Sequence, residues 1–92
     1  MPDFDERNGL GSAGMIELFA WSEEQFNQRL EGSPIRRIGH ERWLRNLAVG
    51  LGNAATHQKG DVATVAALEA RAQHPSPLVR EHVEWALARH KA

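Results

Sequence analysis

Four arginines fall within ten residues of this 92-residue chain: Arg36, Arg37, Arg42 and Arg45, with Glu41 the only acid among them. Guanidinium groups stay charged and present planar forks that match phosphate oxygens. A cluster this dense is therefore suited to a nucleic-acid backbone. A solvated helix face carries similar residues without binding anything, and composition leaves both readings open. The bland alternative for Arg36 and Arg37 is that they cap carbonyl groups or pair with Glu31 and Glu41. Asn46, beside Arg45, would in that case fix a neighbouring loop.

Other reactive constellations fail on spacing. His40-Glu41 opens like the HExxH zinc-protease motif, but position 44 is leucine. The five histidines are scattered with none at (i, i+4), and His82 and His90 are two turns apart, too far to share one ion. The chain has no cysteine, which excludes disulfides, thiolate nucleophiles and cysteine-ligated clusters within it. Asp61 and Ser76 precede helical patterns and read as helix caps. Gly9 and Gly11, like Gly50 and Gly52, lie outside any strand–loop–helix context, so no phosphate loop is expected. What remains is binding or support rather than catalysis.

The elements that must position these groups are helical. Residues 1–13 are rich in glycine and acids and are expected to be an extended or flexible lead-in; residues 14–92 are expected to form one helical domain. Gly14–Trp21 has room for one or two turns. Ser22-Glu23-Glu24-Gln25 is a capping box, flanked by Trp21 and Phe26 at staple spacing, and Gly32 ends that helix. Ser33-Pro34 restarts the chain, and Gly39 limits the turn. A helix over about 40–51 carries Leu44, Leu47, Ala48 and Leu51 on one face, with Gly52-Asn53 as its stop. Residues 54–60 read as a polar loop. Asp61 caps a helix to about Gln73, with Val62, Val65, Leu68 and Ala72 inward. A last helix, over 77–90, places Val79, His82, Val83, Ala86 and Leu87 inward, pairs Arg80 with Glu84, and leaves Trp85 half exposed. Trp43 is expected in the core. No stretch alternates with period two. The expected fold class is all-α, with short antiparallel helical hairpins.

Charge is uneven along the chain. Residues 1–31 carry seven acids and two bases; residues 32–92 carry five acids and nine bases. No apolar run approaches the roughly 20 residues of a membrane helix, and residues 1–10 lack the apolar region of a signal peptide. Neither membrane attachment nor a small-molecule substrate is expected.

An internal repeat is also visible. Leu47, Val49, Gly50 and Leu51 correspond in kind to Val83, Trp85, Ala86 and Leu87 at an offset of 36. That period suits a helical-hairpin repeat whose apolar stripe is buried by stacking on a neighbour, with the first 30 residues as a cap. The stretch Ser76-Pro77-Leu78-Val79-Arg80 resembles the start of the second helix of a HEAT repeat.

The block Gly32-Ser33-Pro34-Ile35-Arg36-Arg37-Ile38-Gly39-His40-Glu41-Arg42-Trp43-Leu44-Arg45-Asn46 with Leu51-Gly52-Asn53, the block Leu78–Leu87, and the lead-in Leu18–Phe26 together resemble the C-terminal region of the epoxyqueuosine reductase family over about residues 3–90. The resemblance implies a HEAT-like domain of a bacterial, cytoplasmic enzyme that completes queuosine in tRNA. It also implies that the parent's cobalamin domain, 4Fe–4S clusters and catalytic acid lie upstream, with this chain starting just after the last cluster cysteine. No cofactor is then expected in the chain itself. In that family this region helps to hold tRNA and packs against the upstream catalytic domain. By position the nucleic-acid-binding candidates are Arg36, Arg37, His40, Arg42, Arg45 and Asn46, and His40 stands where the family usually has tyrosine or phenylalanine. The competing expectation is a HEAT-type protein-interaction module without a nucleic-acid role.

Overall fold

The computed structural model describes residues 12–91, all in helices and the turns between them. The elements are α1 (Ser12–Phe19), α2 (Glu23–Arg29), a 3-10 turn (Pro34–Ile38), α3 (Gly39–Asn53), α4 (Ala55–Gln58), α5 (Val62–Glu69) and α6 (Pro77–Lys91). No strand occurs among the described residues, as the all-α expectation requires. Of the lead-in expected over 1–13, residues 1–11 lie outside the described residues; 12 and 13 already belong to α1.

Local chemistry sets the helix starts. The Ser22 hydroxyl accepts from the Gln25 N–H at 3.2 Å, and Gln25 Oε1 accepts from the Ser22 N–H at 2.9 Å, a complete capping box. Ser33 accepts from the Ile35 N–H ahead of Pro34. Asp61 Oδ2 accepts from both the N–H and the hydroxyl of Thr64. Ser76 accepts from the Val79 N–H and donates to the Glu41 carboxylate, tying the start of α6 to the first turn of α3.

Four helices form two pairs. In the first, Trp43 Nε1 donates to the Leu18 carbonyl while Met15 lies against Gly50, so α1 and α3 are antiparallel. In the second, the Gly60 N–H ahead of α5 meets His90 near the end of α6, so α5 and α6 are antiparallel too. The most extensive helix contact is between the pairs, α3 on α6, and it is parallel. Glu41 faces Ser76 at their starts; Gly52 and Leu51 face Arg89 and His90 at their ends. The expected antiparallel neighbours are present, but the main seam joins helices distant in sequence and running the same way. The segment expected to be a cap supplies α1, a full partner of α3; α2 and the 3-10 turn form a separate limb between them.

The core is Met15, Phe19, Phe26, Trp43, Leu44, Leu47, Ala48, Leu51, Leu68, Val79, Val83 and Ala86. Several expectations need correction. Gly52 is not a left-handed stop: it is buried inside α3, and a Cβ there would lie 2.5 Å from Trp85 and 3.0 Å from the Ala86 backbone. Glycine is needed for close approach, not for its φ. Residues 54–60 include a helical turn, α4. The α5 helix ends at Glu69, with Arg71 and Ala72 closing in tighter turns onto Leu68 and Glu69. Val62 is 82% exposed and Val65 half-buried, because Thr64 and Leu68 face inward. The Asp61 bond to the Thr64 hydroxyl removes the cost of burying it. Arg80 does not pair with Glu84; it donates to the carbonyls of His74 and Pro75. Leu87 and His82 are half-buried, and the His82 ring bonds the Leu78 carbonyl one turn back.

Candidate nucleic-acid interface

The limb of α2 and the 3-10 turn rests on an aromatic stack. Trp21 lies over Trp43 with ring centroids 5.6 Å apart, and Phe26 meets Trp43 at 5.2 Å. Gly32, at φ 82°, turns the chain out of α2 toward the 3-10 turn; Gly39, at φ 87°, launches α3. Arg36 and Arg37 fall on the exposed side of this turn, while Ile35 packs on the core. Together with Asn27, Gly32, Ser33 and Pro34 they line a hollow of about 550 Å³. Arg42 is exposed on α3, opposite its buried face.

The arginines divide into two groups. Arg71 donates to the carbonyls of Phe19 and Trp21, Arg80 to the turn before α6, and Arg89 to the Gly52 carbonyl and the Thr56 hydroxyl. Arg29 lies over the Trp21 ring at 5.2 Å and Arg89 over the Trp85 ring at 5.6 Å. These cations brace the fold. Burial pulls the Arg71 pKa below the usual arginine value, and the two carbonyl partners offset that desolvation. The side chains of Arg36, Arg37 and Arg42 make no hydrogen bond or ion pair with described residues. Neither carbonyl capping nor pairing with Glu31 or Glu41 occupies Arg36 and Arg37; Glu41 is engaged by Ser76.

The other candidates are partly committed. Arg45 Nη1 donates to Asn46 Oδ1 at 2.9 Å, and both residues are half-buried. Arg45 can still offer its remaining N–H groups to solvent. His40 Nε2 donates to the Trp21 carbonyl at 2.8 Å, and its ring lies 5.7 Å from Phe26. It shares that carbonyl with Arg71, an arrangement that joins α3, the end of α1 and the turn after α5. His40 is thus half-buried and engaged by Trp21 and Phe26.

Sequence reasoning does not single out Asn27 or His90. Asn27 borders the arginine hollow because the chain turns at Gly32, and a glycine after a capped helix is the only sequence signal for that. His90 is buried. Its Nδ1 accepts from the Gly60 N–H at 3.0 Å and its Nε2 donates to the Leu51 carbonyl at 2.8 Å. It fastens the ends of α3 and α6 to the loop before α5. His74 accepts from the Ser76 N–H, and its pKa is lowered by burial first and by the charge of Arg71 next.

A second hollow, about 320 Å³, lies between the outer faces of α3 and α6 and is lined by Val49, Glu81, His82 and Trp85. Val49 and Trp85 stand at the 36-residue offset of the sequence repeat. Among the described residues no group of three histidines, acids or cysteines comes together to hold a metal, and no helix is long and apolar enough to cross a membrane.

The architecture and the site define an all-α domain of stacked helix pairs that presents, on the 3-10 turn and on α3, arginine side chains without a partner among the described residues. No protein-family model and no solved structure matches the chain. Curated proteins do: it is 60% identical to an epoxyqueuosine reductase of Burkholderia pseudomallei, over 92% of this chain and 23% of that one. It is 60% identical to an epoxyqueuosine reductase of Pseudomonas aeruginosa, over 96% of this chain and 23% of the relative. The figure is 61%, over 97% and 24%, for an epoxyqueuosine reductase of Xanthomonas campestris pv. campestris. The matched region is the C-terminal part of these reductases. The chain spans about a quarter of the length of the curated relatives it matches.

Proposed function

We propose that this chain serves as the C-terminal, HEAT-like support domain of an epoxyqueuosine reductase and presents Arg36, Arg37 and Arg42 to the phosphates of the substrate tRNA. The observation that carries this reading is that these three guanidiniums have no partner among the described residues, in a chain similar over nearly its whole length to one region of such reductases. An exposed guanidinium kept free of internal hydrogen bonds has all its N–H groups for a phosphate; Arg71, Arg80 and Arg89 have some of theirs committed to carbonyl and hydroxyl oxygens. Arg45, held by Asn46, extends the same α3 face. The 36-residue offset and the parallel seam of α3 on α6 support the HEAT-like description, in which equivalent helices of successive hairpins stack side by side. Redox chemistry, with the cobalamin and 4Fe–4S clusters that the family resemblance implies, falls to the upstream catalytic domain in cis, within the cytoplasm. This chain's task is to orient tRNA for it.

The test is a chimera in which this chain replaces the matching region of the Pseudomonas aeruginosa relative. Binding of substrate tRNA is measured across a salt series. We expect affinity to fall with salt by about 0.7–0.9 logarithmic units per tenfold change for each phosphate contacted. A chimera that binds tRNA no better than the relative lacking this region would refute the reading.

A second reading, a protein-interaction module, draws on the hollow at Val49 and Trp85, where Trp85 is 40% exposed. It predicts that substitution of Trp85, and not of the arginines, abolishes function in the chimera.

A further inference from the structure

We propose that the hollow between α2 and the 3-10 turn is a seat for one ribonucleotide of an RNA strand, with Arg36 and Arg37 on its phosphate and the Asn27 side-chain amide on its sugar or base. The inference deepens the tRNA-binding reading and rests on it.

The hollow lies where the chain turns at Gly32, between α2 and the 3-10 turn. Asn27 contributes from α2, and Arg36 and Arg37 contribute from the 3-10 turn. Both elements are anchored beneath. Phe26, next to Asn27, is fully buried, and Ile35, next to Arg36, packs on the same core. The capping box fixes the start of α2, and Ser33 fixes the start of the turn. Positions on such a base are held without the side chains being engaged with one another.

All three side chains are exposed, and none hydrogen-bonds a described residue. The hollow, about 550 Å³, is open to solvent and has more room than a lone phosphate takes, so a strand can lie across it with one nucleotide over the arginines. Gly32 borders the opening, and no atom lies within 4 Å of where its Cβ would stand, so a strand can pass close to the backbone there.

The lining carries two kinds of chemistry. The two guanidiniums match phosphate oxygens. The Asn27 amide offers both donors and an acceptor, which is how proteins read a base edge or a 2′-hydroxyl. Glu23 lies one turn before Asn27 and Glu31 lies beside Gly32, both exposed. The positive charge of the lining comes from Arg36 and Arg37 alone. The hollow suits one phosphate followed by a neutral group, and suits an extended acidic peptide less well.

The test uses the 92-residue chain labelled with nitrogen-15 and titrated with an unstructured hexaribonucleotide. Its deoxy counterpart and a hexaglutamate peptide serve as comparison probes. We expect the Asn27 side-chain amide and the Arg36 and Arg37 Nε resonances to move together, with tighter binding of the ribonucleotide than of either comparison. N27A should weaken it about threefold to tenfold, the worth of one neutral hydrogen bond, and leave the salt slope unchanged because no charge is removed. Movement of the arginine resonances with Asn27 still would overturn the seat but keep the tRNA reading. Equal binding of hexaglutamate would overturn the seat in favour of an acidic protein partner. No movement of any of the three would overturn both.

Discussion

The seam between α3 and α6 and the limb of α2 with the 3-10 turn solve opposite problems. At the seam Leu44, Leu47, Leu51, Val79, Val83 and Ala86 are buried, Gly52 lets the helices approach, and His90 and Arg89 close the carbonyls at their ends. On the limb only Phe26 is buried, and the side chains of Arg36 and Arg37 have no partner among the described residues. Stability is concentrated where the helices touch, and unused charge where they do not. A protein that binds phosphates gains from this separation, because guanidiniums held on internal carbonyls have fewer N–H groups and less freedom to meet a ligand. The same residue type serves both purposes. Arg71, Arg80 and Arg89 hold the frame together; Arg36, Arg37 and Arg42 are left outward.

The comparison predicts a graded set of effects on substitution. The largest belongs to the seam. Leu47→Ala removes a fully buried side chain between the pairs and should cost about 2–5 kcal/mol in chemical denaturation. A loss below about 1 kcal/mol would place Leu47 outside the core. Gly52→Val should cost about 1–3 kcal/mol, since its Cβ would press on the Ala86 backbone as well as on the movable Trp85 ring. An unchanged midpoint would mean that α3 and α6 do not approach at Gly52.

A smaller effect follows from His74, in the turn that leads into α6. Its pKa is lowered in the folded state, by burial and then by Arg71, so the folded chain favours the neutral ring. The unfolded chain therefore binds more protons between the lowered value and the ordinary one near 6.5, and stability rises with pH across that window. The contribution is complete above about pH 6.5 and is lost on acidification through the lowered value. Melting at about pH 7 and about pH 5 should differ less in His74→Asn, whose amide oxygen can accept the Ser76 N–H without titrating. Equal sensitivity in the variant would remove His74 as a source of the acid dependence.

Much of this is legible in the sequence, for identifiable reasons. Caps at Ser22, Ser33 and Asp61 depend on neighbours within three residues, and the spacing of Leu44, Leu47 and Leu51 is set by one helix alone. Gly52 misleads because glycine followed by asparagine is also a helix stop, and only Trp85 and Ala86, distant in sequence, reveal its packing role. Val62 misleads because valine is apolar, whereas the Asp61–Thr64 bond lets a threonine take the inward position. The parallel seam leaves a trace in the 36-residue repeat, but direction is set by packing across the domain. In the site, the exposure of Arg36, Arg37 and Arg42 follows from pattern. The bond from His40 to Trp21 and the place of Asn27 depend on how Gly32 and Gly39 fold the limb, which a linear pattern does not contain.

The smallest expected effect on folding is also the sharpest test of function. Arg36→Ala/Arg37→Ala, made in the chimera with the Pseudomonas aeruginosa relative, should leave stability within about 0.5 kcal/mol, as exposed substitutions generally do. The titration of substrate tRNA against salt is the direct measurement. The account predicts weaker binding and a slope shallower by about 0.7–0.9 for each phosphate that the variant no longer neutralises. Unchanged affinity and slope in a folded double variant would contradict it and return both arginines to the solvated surface.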